Sequence, residues 1–469
     1  MPKQPKEKKE LVHTPKGMRD ILPSEVAVWE RIETKAKEIA EFYGFLPIRT
    51  PHVEHADIFL HTLGDATDIV EKQMYTFRTR GKDVLALRPE GTASLMRAYI
   101  QHGMRTWTQP VMLYYSGSFF RHERPQKGRW REFGQFGFEV LGADGAVADA
   151  LVIRLSVLML EELGIGPLRV HVNTLGDSEC RAEYKKELIA YFRKKVNYLC
   201  KDCRRRLKIN PLRILDCVEE KCHELAKDAP QLIEYVCSDC KTHFREVIEF
   251  LDKVGIPYFL DHRLVRGLDY YSRTVFEIFL EEKRGSVKTD DKQKSEEKDK
   301  EDSEVKREQD EDDSSRMVAL ASGGRYDTLA YALGMKEPKD PETEAQWKGA
   351  VGSALGIDRI AEELMKKQQK KDASFFFLIQ LGSQAKQQSL ILLEQFRKNR
   401  LPIGSSLSKD SINQQLSYAS HLGVSFSIIL GQKETIDQTV IVRDMETGLQ
   451  ETVPQAKLLD YLKKKKKNK

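Results

Sequence analysis

The sequence contains no run of about 18 apolar residues, the length a bilayer-crossing helix needs, so a membrane-spanning protein is excluded. Its Lys-rich start, Met1 to Glu10, is not followed by an unbroken apolar stretch and a small-residue cleavage site, and a cytoplasmic protein is expected. Cysteine is scarce and unevenly placed: of 7 in the chain, all but Cys180 fall between Cys200 and Cys240. An odd number so clustered is not the disulfide framework of a secreted protein, which leaves reduced thiols or metal ligands. Charge of either sign is hardly in excess, +5 over 469 residues, so composition permits a nucleic-acid partner without demanding one. Internal repeats are also missing.

What is present is a soluble globular composition, 40% hydrophobic and 32% charged, with length for two to four domains. From Pro23, with Ser24 as cap, Trp29, Ile32, Ala36, Ile39 and Tyr43 recur at helical spacing until Gly44 stops the helix. Strand-like pieces follow at Phe45 to Arg49, Val84 to Arg88 and Val111 to Phe120, then a long helical pattern from Ala146 to Leu163. Strands passing into helices and back imply an α+β domain on a largely antiparallel sheet. Between Ser178 and Leu251 the texture turns helical, charged and Cys-containing, and Val275 to Leu280 returns to strand composition.

The stretch Glu281 to Ser315 holds 24 charged residues in 35, too few apolar groups to offset the entropy of ordering it, and is expected to be a disordered surface loop. A strand at Met317 to Ala321 and a helix at Ile357 to Met365 come next. From Ser374 the alternation restarts: strand Phe375 to Leu381, helix Gln384 to Arg400, strands Val424 to Leu430 and Gln438 to Val442. This is enough for a separate α/β domain. The expected organisation is a basic tail at 1–10, a catalytic domain at 11–177 and 252–370, a helical Cys-containing insert at 178–251, the disordered insertion at 281–315, a C-terminal domain at 371–462 and a Lys-rich tail at 463–469.

The densest chemistry lies between Phe119 and Phe133. Arg121 and Glu123 stand two residues apart on an apolar strand and so share a face, and the basic, Gly-containing hairpin after them can reach phosphates. A solvated strand face with an ordinary basic turn accounts for this stretch alone equally well.

The same stretch closely resembles motif 2 of the class II aminoacyl-tRNA synthetases in the form found in histidyl-tRNA synthetases. Gly17 to Pro23 looks like that family's N-terminal signature, Ile48 to Glu54 like the end of motif 1, and Leu87 to Thr92 like its amino-acid loop. Arg266 to Thr274 and Ser322 to Asp327 are similar to its two histidine-specific signatures, and Gly352 to Arg359 to motif 3. Separated signatures in the family's order carry far more weight than any one of them.

The resemblance implies a catalytic domain on a six-stranded antiparallel sheet with a helical insertion, an α/β anticodon-binding domain, and a homodimer without membrane contact. It implies activation of L-histidine by ATP with Mg²⁺ to histidyl-adenylate, then transfer to the 3′ end of histidine tRNA. Arg121 is then expected at the α-phosphate and carboxylate, Glu123 at the adenine, Arg129 and Arg359 at ATP phosphates, and Arg266 as a cation opposite Arg121. Glu139 and Tyr271 are expected to read the imidazole, Glu90, Thr92 and Gln135 to receive the α-ammonium, and Tyr270 and Tyr326 to line the pocket. For the two last tyrosines plain core packing is the competing reading. Arg124 and Gln126 are expected to read the extra nucleotide that marks the histidine tRNA, and the segments at Leu381-Gly382 and Leu430 to Glu434 look like the anticodon-binding domain, more loosely.

Cys200-x2-Cys203 and Cys237-x2-Cys240 have the form of a tetrahedral Zn²⁺ site, but their separation is longer than common zinc ribbons use and Cys217 and Cys222 lie between. Structural zinc, free thiols and disulfides all remain open. Two other readings deserve mention: a non-catalytic paralogue regulating histidine biosynthesis, which typically lacks the C-terminal domain and erodes the ATP-binding arginines, and a tRNA-sensing domain attached to others. Arg121, Arg129, Arg266 and Arg359 are all present and a C-terminal domain follows, which argues against the first, and no such attached domain is visible in the sequence, which argues against the second.

Overall fold

Two-residue alternation along the strands decides which side of the main sheet carries the core and which the chemistry. In the computed structural model, described over residues 12–64, 67, 69–124, 128–281, 319–336, 346–367, 376–408 and 410–467, the chain forms two compact units divided between Lys367 and Gln368. The strands of the first are β1 Leu46–Pro47, β2 Val53–His55, β3 Thr76–Arg78, β4 Val84–Leu87, β5 Val111–Phe120, β6 Glu132–Leu141, β7 Leu168–Thr174, β8 Tyr258–Leu260, β9 Ser272–Leu280, β10 Ala319–Arg325 and β11 Ala350–Gly356. Its helices are α1 Pro23–Phe42, α2 Ala56–Leu63, α3 Thr92–Gln101, α4 Ala146–Glu162, α5 Ser178–Lys194, α6 Lys201–Ile209, α7 Glu220–Lys227, α8 Ser238–Lys253, α9 Leu329–Ala332 and α10 Ile357–Lys367.

The main sheet has eight strands in the order β1-β5-β6-β11-β10-β9-β7-β8. The six from β5 to β7 are antiparallel throughout, as expected, and the short strands β1 and β8 are added in parallel at the two edges. A separate three-stranded sheet, β2-β4-β3, carries the loop that leads into α3. Phe136, Phe138 and Val140 of β6, Phe276 and Ile278 of β9, and Val351 and Leu355 of β11 pack on one side against Ile32, Ala36 and Ile39 of α1, the apolar length of α4, and Ile360 and Leu364 of α10. The alternate residues face the other side, which holds the candidate site.

Several expected elements sit where their periodicity put them, β5, α4 and α10 among them. The start of α1 differs. The helix begins at Pro23 with Leu22 as N-cap and no side-chain cap, so Ser24 lies inside the first turn. Pro23 accounts for this: its fixed φ and missing N–H suit the first helical position. Gly44, at φ +82°, ends the helix as expected.

The Cys-containing segment is helical, and the two Cys-x2-Cys pairs, whose form suggested one Zn²⁺ site as one of the open readings, belong to separate groups. Cys200 and Cys203 gather with Cys217 and Cys222, whereas Cys237 and Cys240 gather with Cys180 and Asp177. The reason is helix placement: Cys200 caps α6, while Cys237 caps α8, whose later residues Phe244, Val247 and Leu251 are committed to the core beneath α4. All seven cysteines are free thiols.

The tail at 1–10, Gln126, and residues 282–315 of the charged insertion lie outside the described residues. The strands flanking that insertion, β9 and β10, are hydrogen-bonded neighbours, with Ala319 opposite Phe279. The second unit is a five-stranded sheet, β13-β12-β14-β15-β16, made of β12 Phe376–Gln380, β13 Ile403–Ser405, β14 Phe426–Leu430, β15 Thr439–Asp444 and β16 Gln450–Pro454. Its helices are α11 Ser383–Lys398, α12 Ile412–His421, α13 Gln432–Ile436 and α14 Leu458–Lys467, the last taking up most of the lysines read as a tail. Among the described residues no helix is long and apolar enough to cross a membrane.

Candidate active site

Glycine and alanine on the free side of the sheet leave room for a cavity of about 460 Å³. Gly137 on β6 and Gly352, Ala354 and Gly356 on β11 supply this space. A Cβ at Gly137 would stand 2.2 Å from the Tyr115 ring, and one at Gly352 would stand 1.6 Å from Glu139 Oε2, so neither position admits a larger residue without displacing a site side chain.

At one end the loop before α3 places Glu90. Its Oε2 accepts the Thr92 N–H at 2.7 Å and its Oε1 the Ala93 N–H at 2.8 Å, while the Tyr270 hydroxyl donates to Oε2 at 3.4 Å. Burial raises the Glu90 carboxyl above its usual pKa, against those amides and Arg121. Beneath it lies Glu139, wholly buried, accepting from the Thr92 hydroxyl at 2.7 Å and from the Tyr326 hydroxyl. Burial pushes Glu139 up to about 8 despite both donors. Gln135 and Glu139 share a face of β6 by strand alternation. Gln135 Oε1 is buried and without a hydrogen-bond partner, an acceptor placed in the cavity wall for a donor that a ligand can bring.

The other end is cationic. Arg121, at the end of β5, is fixed by donation from Nε to the Pro89 carbonyl at 2.8 Å and stacks over Phe133. Glu123 lies between two guanidinium groups, 3.9 Å from Arg121 and 3.9 Å from Arg129. Arg359, in the first turn of α10, donates to the Ala319 carbonyl at 2.6 Å and the Gly128 carbonyl at 3.3 Å. Arg266 pairs with Glu277, donates to Ser322 Oγ at 2.8 Å, and keeps its buried Nε unpartnered. Burial lowers the pKa of Arg121, and burial together with neighbouring Arg129 lowers that of Arg359, yet both guanidinium groups stay charged at any working pH.

Of the residues singled out from sequence, Glu90, Thr92, Arg121, Glu123, Arg129, Gln135, Arg266, Tyr270, Tyr271 and Arg359 line this one cavity. Glu139 and Tyr326 form the layer just behind it through Thr92. Arg124 is exposed on the basic hairpin. The sequence reading missed Tyr115, Glu277 and Ser322, and also Asp216 from the Cys-containing segment, all of which line the cavity. Glu277 had a signal, a lone carboxylate among Val275, Phe276, Ile278 and Phe279, and Ser322 opens one of the signatures; Tyr115 and Asp216 had none.

Two signatures turn out to be partly scaffold. Arg19 ties the N-terminal signature to motif 3 by pairing with Asp358 at 3.4 Å, and its guanidinium lies over the motif 2 residue Trp130. Arg325, fully buried, is held by Asp149 at 2.6 Å, Asp327 at 3.1 Å and the Ala143 carbonyl at 2.7 Å, which fixes the strand end that presents Tyr326. Removing one partner of such a buried pair typically costs about 3–5 kcal/mol.

A family model described as Histidyl-tRNA synthetase matches residues 17–289, and one described as Anticodon binding domain matches residues 376–465. The chain is 36% identical over 460 residues to the histidine–tRNA ligase of Desulforamulus reducens, covering 97% of this chain and 99% of that relative. It is 34% identical over 460 residues to the histidine–tRNA ligase of Staphylococcus aureus, covering 97% and 100%. The crystal structure of apo S. aureus histidyl-tRNA synthetase superposes with a TM-score of 0.72 at 29% identity, over 96% of this chain and 99% of that one. Motif order, sheet topology and full-length similarity agree, and the chain belongs to the histidyl-tRNA synthetase family.

Proposed function

We propose that the protein is a histidine–tRNA ligase, a class II aminoacyl-tRNA synthetase that activates L-histidine with MgATP and esterifies it to the 3′ end of histidine tRNA. The observation that carries this reading is one cavity with the buried carboxylate of Glu90 at one end, that of Glu139 just behind it, and four arginines around the other. Glu90 with Gln135 suits an α-ammonium, since both present acceptors, one of them unpartnered. Glu139 and Tyr271 suit the two nitrogens of an imidazole, which hydrogen bonds discriminate better than shape does. Thr92, Tyr270 and Tyr326 hold these acceptors in place.

With histidine so oriented, its carboxylate oxygen attacks the α-phosphorus of ATP in line, a P–O bond forms, and the bond to pyrophosphate breaks. Arg121 and Arg266 flank the developing charge, while Arg129 and Arg359 hold phosphate oxygens and Glu123 receives the adenine. Mg²⁺ enters as part of the nucleotide substrate and offsets phosphate charge. In the second step a terminal ribose hydroxyl of tRNA attacks the carbonyl carbon and AMP departs. No protein nucleophile is required. Arg124 and Gln126 are placed by this reading at the tRNA acceptor end, and residues 371–462 at the anticodon.

A homodimer in the cytoplasm completes the proposal. Exposed apolar Phe42 and Leu46, beside the motif 1 segment, are the kind of surface a partner subunit covers. The deciding experiment is amino-acid-dependent ATP–pyrophosphate exchange across the twenty amino acids without tRNA. Exchange with histidine alone is expected; histidine binding without exchange would overturn the catalytic reading and favour a regulatory one.

A further inference from the structure

No thiol of the Cys-containing segment has a role in the proposed reaction, although Cys217 lines the cavity, and four of them converge. The Sγ atoms of Cys200, Cys203, Cys217 and Cys222 all lie within 4.8 Å of one another, and those of Cys200 and Cys217 are 4.0 Å apart. A tetrahedral Zn²⁺ with Zn–S bonds of about 2.3 Å requires sulfur separations of about 3.8 Å, so a small contraction closes the site. A disulfide requires about 2.05 Å, far inside the spacing found. Cys203, Cys217 and Cys222 are buried and Cys200 is half-buried.

Buried thiols alone are ordinary core packing. Here they also accept backbone hydrogen bonds. Cys203 N–H donates to Cys200 Sγ at 3.3 Å, Cys200 N–H donates to Cys222 Sγ at 3.2 Å, and the Glu219 N–H donates to Cys217 Sγ. Backbone N–H groups thus hold three of the four sulfurs in place at the start of α6, which Cys200 caps, and of α7, which contains Cys222. Both arms have zinc-ligand spacing, Cys-x2-Cys and Cys-x4-Cys.

We propose that Cys200, Cys203, Cys217 and Cys222 form a closed tetrathiolate Zn²⁺ site that clamps the start of α6 to the start of α7. Each thiol gives up its proton to solvent as its Zn–S bond forms, no electron is transferred, and the site carries a net charge of −2. The other cluster differs in kind. Asp177 already accepts from the Cys237 thiol at 3.4 Å and the Cys240 thiol at 3.2 Å while capping α5, and Cys237 is exposed. It is satisfied without an ion. The zinc clamp bears on the cavity because Leu215 and Asp216, immediately before Cys217, line its wall.

The test is the zinc content per chain of full-length protein purified without chelator and dialysed against Zn²⁺, compared with Cys203→Ser and Cys240→Ser. Close to one equivalent in the wild type and in Cys240→Ser, with loss in Cys203→Ser, is expected; a second equivalent lost only in Cys240→Ser leaves the proposal standing. Zinc far below one equivalent in the wild type, zinc retained by Cys203→Ser, or the sole zinc lost in Cys240→Ser overturns it. Should Cys203→Ser fail to fold, peptide-mapped alkylation of the native wild type decides. Chelator is then expected to expose Cys200, Cys203, Cys217 and Cys222 together, and alkylation that is the same with and without chelator counts against the site.

Discussion

Among single residues, Glu139 has the most to say about pH. It is wholly buried and its carboxyl is raised to about 8, whereas in the unfolded chain it titrates near the ordinary glutamate value. Between those two values the folded protein holds a proton that the unfolded one has lost, so stability falls as pH rises through this window and is fully retained only below it. The slope from this residue is at most about 1.4 kcal/mol per pH unit. Glu139→Gln removes the titration. Urea unfolding from pH 5 to pH 8 should therefore show the wild type losing stability relative to Glu139→Gln as pH rises, and parallel curves would refute the assignment. The sequence could name Glu139 through its signature, but not the buried pair with Tyr326 that isolates it, because Tyr326 comes from a strand 187 residues further on.

At the level of elements, the charged insertion tests how far pairing tolerates a long connection. It joins β9 to β10, which are adjacent and antiparallel, so the site needs only that the strand ends meet. Loop closure costs about 0.6 kcal/mol per doubling of length. Deleting Lys288 to Asp313 should leave histidine-dependent pyrophosphate exchange within about threefold, and a collapse of activity in a folded deletion variant would give the segment a role. Elements with a strong period were readable from residues alone, as β5 and α4 were. The three short strands of β2-β4-β3 were only partly so, since three or four residues carry no usable alternation. The thiol clusters were legible as ligand-like pairs but not as partners. Which pair meets which depends on where α8 is anchored, and that is decided by Phe244, Val247 and Leu251 packing beneath α4.

For the molecule as a whole, the division after Lys367 separates two units whose cores are independent. Phe376, Leu378, Phe396, Phe426 and Ile428 belong to the second unit's own core, and the first unit's two cores use none of them. Chain ending at Lys367 should therefore keep histidine-dependent pyrophosphate exchange. The same truncation should raise the KM for tRNA at least ~10-fold, about 1.4 kcal/mol of lost binding. Unchanged tRNA charging by the truncated chain would show that the second unit is not needed for recognition.

The strand order of the main sheet also sets a timetable for synthesis. β11 lies between β6 and β10, and β10 between β11 and β9, although both are translated after every other strand of that sheet. While residues up to about 280 have left the ribosome and the rest have not, the β5–β6 ladder and the β9–β7 ladder face a gap in which both inner edges are unpaired. The nascent chain thus carries an open seam through its future active site, and the last two strands to emerge close it.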